Sequence, residues 1–423
     1  MHRREFLRAG VLAGMGTLLA PMINRGRFRL FADDRVEHSG RAVELVARST
    51  VIDMLGLLTL DWPRLGLWQS EPQRFGALDF HRFQGSGIQV FHPAVDPDDP
   101  VDPWGAARRW TDGWNRLIGH RPDCFLRVDA AADLTRARQL GRIGILVGFQ
   151  SSDHFRTVDD IALFHRQGQR VSQLTYNEKN RIGCGCKVAF DQGLSEYGAT
   201  VVQAMNRVGM AIDVSHCSER TSLDAFAISH KPVLITHANC RALVPQPRCK
   251  SDAVIRAMAA RGGVMGITTV PAFVHPRPPA TFEQVLDHFD HVARLVGVEH
   301  VGLGSDTDLD ALDPRTGRVR PMYAIAGLDH PRRVFDLAEG LLRRGYGEKD
   351  VELVLGGNFA RVLAQIFDVP PPATVLATGP GATPAIPALP AGAMLTLAIT
   401  IPTLSRRAVS ISPGSTLTDF MQR

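Results

Sequence analysis

Short β-branched apolar runs recur along the chain with stretches of helical period between them, and eight of the runs have the length and composition of buried strands. They span residues 51–57, 88–95, 143–150, 171–177, 210–216, 233–237, 263–270 and 300–306. Helical periodicity is clearest over 197–207, 222–229, 252–260, 282–295 and 331–344. Ser195-Glu196 ahead of the first of these and Pro331 at the head of the last are start signals. Continuous apolar strands, each followed by a crossover helix, favour parallel pairing. Eight of them predict an α/β fold, a closed (β/α)8 TIM barrel.

Polar side chains close several of these runs. His216 ends Ala211-Ile212-Asp213-Val214-Ser215-His216, His237 ends Val233-Leu234-Ile235-Thr236-His237, and Asp306 ends Val301-Gly302-Leu303-Gly304-Ser305-Asp306. Barrel strand ends converge on one cleft, so these three residues are candidates for a single site. Neutral imidazole is a common zinc ligand, and catalytic zinc keeps one position open for water. His216 and His237 on successive strands suit one ion, and Asp306 could accept a proton from attacking water.

Other strand ends qualify this picture. The third run ends in Gln150, an amide where a two-metal site would need a bridging carboxylate; it could ligate through its carbonyl oxygen or serve as a hydrogen-bonding rim residue. The first run presents Leu55 and Leu57, which cannot coordinate a metal, while Asp53 within that strand suits a structural role. Arg248, in the loop after the sixth run, could clamp a substrate carboxylate with two parallel hydrogen bonds or be a solvated loop charge. Tyr176 and Asn177 end the fourth run, where they could orient a substrate oxygen or fill space. His154, just past Gln150, could line the same mouth.

The length of 423 residues suits one barrel with extensions as well as it suits two smaller domains. Its net charge of +5 is matched by arginines 3, 4, 8, 25, 27 and 29 alone, so the body offers no electrostatic footprint for nucleic acid. Arg3-Arg4-Glu5-Phe6-Leu7 and the following apolar stretch resemble a twin-arginine export signal over 1–32, which predicts a periplasmic protein, membrane-anchored only where the signal stays uncleaved. The barrel is expected over 45–368. Residues 370–423 are rich in Pro, Ala, Thr, Gly and Ser and are expected to form a flexible tail with a short strand within 394–401. The 6 cysteines have no zinc-finger spacing and read as buried thiols or a bridge.

With these residues assembled, the chain from 51 to 367 resembles the membrane dipeptidase (renal dipeptidase) family of metallopeptidases, within the amidohydrolase-like barrels. The resemblance is carried by Gly209-Met210-Ala211-Ile212-Asp213-Val214-Ser215-His216, by Thr236-His237, by Gly302-Leu303-Gly304-Ser305-Asp306-Thr307-Asp308 and by Leu355-Gly356-Gly357-Asn358-Phe359-Ala360-Arg361-Val362. It implies a zinc-dependent dipeptidase in which His216 and His237 bind the second metal, Asp306 handles the proton and Arg248 holds the substrate carboxylate. Tyr176 falls where the family has a histidine that contacts the reacting centre. The family's first-strand histidine and aspartate correspond to Leu55 and Leu57, and its bridging glutamate to Gln150, as in a divergent bacterial branch. The resemblance also implies a homodimer. Two readings follow: a hydrolase of small peptides or amides using at most one zinc ion, held by His216 and His237 with Gln150 or Asp306, or a catalytically impaired barrel that binds a small ligand or partner.

Overall fold

The computed structural model describes residues 37–369 apart from 98 and 310, together with the short strand segments Arg27–Phe28, Thr396–Leu397 and Val409–Ser410. Contacts divide the chain into Met1–Val369 and Pro370–Arg423. In the second unit Thr396–Leu397 pairs antiparallel with Val409–Ser410, and in the first Arg27–Phe28 pairs antiparallel with His38–Ser39. The rest of the segment expected to be an export signal and of the expected C-terminal tail lies outside the described residues. Among the described residues no helix is long and apolar enough to cross a membrane.

Eight parallel strands form the barrel. In order they are Ile52–Asp53; Val90–Phe91 with Ala94–Val95; Ile143–Ile145 with Gly148–Phe149; Val171–Gln173; Ala211–Asp213; Ile235–Ala238; Met265–Ile267; and Val301–Leu303. Neighbours pair in parallel, with Asp213 bridging to Leu234 between the fifth and sixth. The ring closes where Met54 N donates to Leu303 O at 3.0 Å, Asp306 N to Leu55 O at 2.8 Å and Leu57 N to Thr307 O at 3.1 Å. Gly304 lets the eighth strand come close to the sixth, because a Cβ there would lie 1.9 Å from the Thr236 carbonyl oxygen. One strand was not expected: Phe125–Arg127 pairs in parallel with Ile143–Ile145, on the N-terminal half of the third strand, while the fourth strand pairs with its C-terminal half. Its short Phe-Leu-Arg run has no alternation long enough to register as a strand.

The helices start where side chains cap them. Ser195 accepts from Gly198 N at 2.9 Å, so that helix runs Glu196–Val208 and ends on Gly209 at φ 75. Ser218 and Ser251 likewise cap Glu219–Ile228 and Asp252–Ala260, which fixes the short loops that carry His216 and Arg248 to the rim. The last barrel helix is Arg333–Arg343, two residues later than the proline signal implied; no side chain caps it, and Pro331 sits in the preceding turn. The helix Asn358–Phe367 closes the bottom of the barrel, packing Phe359, Val362, Leu363 and Ile366 against Ile52, Val90, Val171, Ala211, Leu234 and Val264 near the strand starts. Its Asn358 amide donates to Val298 O at 2.7 Å and Val301 O at 2.8 Å. With the lower end sealed by apolar side chains worth about 1.5–3 kcal/mol each on burial, the open end is the rim of strand C-termini.

Candidate active site

Two imidazoles face one another at that rim. His216 Nε2 lies 3.1 Å from His237 Nε2. Behind each ring the other nitrogen is engaged: His216 Nδ1 donates to Asn177 Oδ1 at 2.8 Å, and His237 Nδ1 donates to Thr236 Oγ1 at 2.8 Å. Thr236 can only accept there, because its own proton goes to Asp213 Oδ2 at 2.7 Å. Burial and then the neighbouring Arg248 guanidinium hold both imidazoles well below their ordinary pKa, so both are neutral. Both Nε2 atoms therefore present a lone pair to the same point, which is repulsive unless a cation lies between them. A tetrahedral zinc with Zn–N of 2.0–2.1 Å sets two nitrogens about 3.3 Å apart, close to the spacing found here. The pair could hold one ion, with its tautomers fixed from behind in the way that metal-ligating histidines require.

No group of three or more His, Cys, Asp or Glu side chains that could hold a metal occurs among the described residues. A third donor must then be neutral or be recruited on binding. Gln150 lines the same cleft, but its amide nitrogen donates to Ala94 O at 3.0 Å. Its carbonyl oxygen remains the end of the amide suited to an ion.

Asp306 lies half-buried in the cleft with φ at 60, a left-handed conformation costing about 1–3 kcal/mol for such a residue. Burial pushes its carboxyl up to about 7, against the opposing pull of Arg248. A carboxyl poised there can take and return a proton near neutrality. The Tyr176 ring stacks on His216 at 4.3 Å between centroids and 21° between planes, restricting the imidazole from the cleft side.

Arg248 is not the solvated charge that its loop position allowed. It is 5% exposed, donates to Ser215 O at 2.9 Å and His237 O at 2.8 Å, and lies 5.3 Å above the Phe273 ring. Its buried Nε–H has no partner, a vacancy in hydrogen bonding that an anion beside it would fill. Below it, Lys250 spends its ammonium on Val214 O at 2.6 Å and Cys217 O at 2.8 Å, and burial lowers its pKa to about 8.

His154 does not reach the mouth. It is fully buried between Phe149, Phe155 and Phe164 with Nε2 on Gln169 Oε1 at 3.1 Å, because the chain turns inward after Gln150. All six cysteines are free and buried. Cys186, read from the sequence only as one of the buried thiols or bridge partners, reaches the cleft and approaches Asn177 Oδ1 at 3.4 Å. The roles of Asp213, Thr236 and Lys250 were missed as well. Thr236 could have been found from the repeated placement of a hydroxyl directly before each rim residue, Ser215-His216, Thr236-His237 and Ser305-Asp306.

The sequence pattern of the membrane dipeptidase family (peptidase family M19) matches residues 85–372. The chain belongs to the membrane dipeptidase family. It is similar to the dipeptidase tcpJ of Claviceps purpurea, at 31% identity over 258 residues covering 60% of this chain and 58% of that protein. It is similar also to the dipeptidase verJ of Clonostachys rogersoniana, at 32% identity over 256 residues, 60% of this chain and 63% of that one. The match thus spans about three fifths of these relatives' own length. Among solved structures, an amidohydrolase from Pseudomonas aeruginosa superposes with a TM-score of 0.66 and 27% identity, over 77% of this chain and 99% of that chain. A metallopeptidase from Rhodobacter sphaeroides, solved with a phosphinate mimic of the dipeptide L-Ala-D-Ala, shares the barrel with a TM-score of 0.60 at 20% identity, over 75% of this chain and 99% of that one. The membrane dipeptidase barrel is therefore the fold of this chain. Within it, His216, His237, Asp306 and Arg248 are gathered at one rim, whereas the first strand contributes Leu57 to the same cleft.

Proposed function

We propose that the protein is a metal-dependent hydrolase of small peptides or amides carrying a free carboxylate, and that it works with at most one divalent ion, zinc by the character of its donors. The observation that supports this most directly is the pair of neutral imidazoles with facing lone pairs 3.1 Å apart. When bound, the ion would polarise the scissile carbonyl and acidify water. The chain's own groups do the rest. Asp306 accepts the proton released as water attacks and returns it to the departing nitrogen, Arg248 holds the carboxylate beside its free Nε–H, and Tyr176 keeps the His216 ring in place. Gln150 or Asp306 completes the donor set. The twin-arginine segment supports a periplasmic address, and family resemblance supports a homodimer.

A second reading, a barrel that binds a small ligand or partner without turning it over, draws on buried Leu55 and on Leu57 where the resemblance would place ligands. One experiment separates the two: metal content and a dipeptide and amide hydrolysis screen on the same sample. Near-stoichiometric metal with turnover is expected. Metal-free protein that stays inactive when zinc is added would leave only the binding reading.

A further inference from the structure

The cleft above the imidazoles measures about 990 Å³, near the upper end of the range for small-molecule sites. Its two sides differ chemically. Across the barrel from Arg248, the wall at the first and second strands is made by Leu57, Leu60, Trp62, Val95 and Trp110, joined by Met322 from the loop after the eighth strand. This wall is fixed: Leu57 N donates to Thr307 O at 3.1 Å and Leu60 N to Asp308 Oδ2 at 3.0 Å. Trp62 opens the helix Trp62–Ser70, which Asp61 caps by accepting from Arg64 N at 3.1 Å.

A substrate whose carboxylate rests on Arg248 and whose carbonyl meets the imidazole pair must direct its acyl part at this wall. A dipeptide would bring its α-ammonium there, where leucine and valine side chains offer nothing in place of its water and only the tryptophan faces and Asp96 could offset part of that cost. An uncharged acyl group would instead gain about 25 cal/mol for each Å² of apolar surface it buries.

We infer that the substrates are N-acyl amino acids with a bulky apolar acyl group, the free carboxylate on Arg248 and the acyl chain on the Leu57–Trp62–Trp110 wall. The inference rests on the hydrolase reading and narrows it. In the reaction, water adds its hydroxyl to the amide carbonyl carbon, the C–N bond breaks, and the proton passes to the leaving nitrogen, giving a carboxylic acid and a free amino acid. Asp96 also lines the cleft and is the one carboxylate besides Asp306 among its lining residues, so it is the group that would have to receive an ammonium if dipeptides were preferred.

The test uses two substrates that differ only in the α-ammonium, 3-phenylpropanoyl-alanine and phenylalanyl-alanine, each with L- and D-alanine, on the zinc-loaded full-length protein. The expected result is a kcat/KM at least tenfold higher for the acyl compound. A Trp62→Ala variant, whose exposed side chain makes misfolding a minor concern, should lose the preference for 3-phenylpropanoyl-alanine over acetyl-alanine. Equal or faster cleavage of phenylalanyl-alanine would overturn the inference while leaving the hydrolase reading intact. Cleavage of none of these compounds would overturn both. An unchanged chain-length preference in Trp62→Ala would remove the wall from the account.

Discussion

Asp213 on the fifth strand and Asp53 on the first are the same device used twice. Asp213 Oδ1 accepts from Ser215 N at 3.0 Å and from Thr236 N of the next strand at 2.9 Å, while Oδ2 takes the Thr236 hydroxyl at 2.7 Å. Asp53 Oδ1 accepts from Leu55 N at 3.3 Å and from Ser305 N of its neighbour at 2.8 Å, while Oδ2 takes the Ser305 hydroxyl at 2.5 Å. Each buried carboxylate thus stitches two strands together directly beneath a rim residue, His237 in one case and Asp306 in the other. The difference lies above the stitch. On the fifth strand the polar series continues to Ser215 and His216, and on the first it gives way to Leu55 and Leu57. The framework under the first strand is intact although no ligand stands on it. Scaffold and chemistry are therefore separable here, since the first-strand stitch keeps its buried hydrogen bonds with leucines standing above it.

The largest expected effect tests the polar side. His216→Ala or His237→Ala should abolish stoichiometric metal binding with the far-UV circular dichroism unchanged, because both rings, though buried, stand at the rim outside the apolar clusters of the core; full metal content in both by elemental analysis would put the ion elsewhere. Next comes the stitch on the apolar side. Asp53 is also 3.3 Å from the buried Arg333 guanidinium, so Asp53→Ala strands a buried charge and should cost about 3–5 kcal/mol in denaturant unfolding. A loss below about 1 kcal/mol would mean that the first strand is held by something else.

Arg248→Ala should then weaken a carboxylate substrate by about 2–5 kcal/mol and erase the preference for a free acid over its amide, with Arg248→Lys recovering only part of it. Equal loss for acid and amide would assign Arg248 to its loop. A smaller change is expected for Asp213→Asn, which loosens the Thr236 hydroxyl behind His237; metal affinity should fall roughly 10–100-fold by chelator competition. If the fall matched that of His237→Ala, the stitch would be as much a ligand device as the imidazole.

The subtlest effect concerns pH. Burial raises the Asp306 carboxyl to about 7, so in metal-free protein it is neutral below that pH and ionises as pH rises through it. Infrared titration of the carboxyl band should find a midpoint near 7 that moves down once zinc is added, since a cation favours the charged form. A midpoint in the ordinary carboxylate range without metal would show that Asp306 is open to water.

The sequence by itself determined the elements and the polar residues that end them. Strand count, parallel pairing, the Ser195 cap, and His216, His237 and Asp306 at strand ends all follow from local periodicity, which side-chain burial within a few residues dictates. Its local signal ran out at Phe125–Arg127, too short to show a period, and at Pro331, where no capping side chain followed. Only the tertiary structure decided that Arg248 is buried, that His154 is turned into a phenylalanine cluster, that Cys186 reaches the cleft and that Asn177 orients His216. Arg248 reaches Ser215 across 33 positions and His216 reaches Asn177 across 39, spans that no short window of sequence contains.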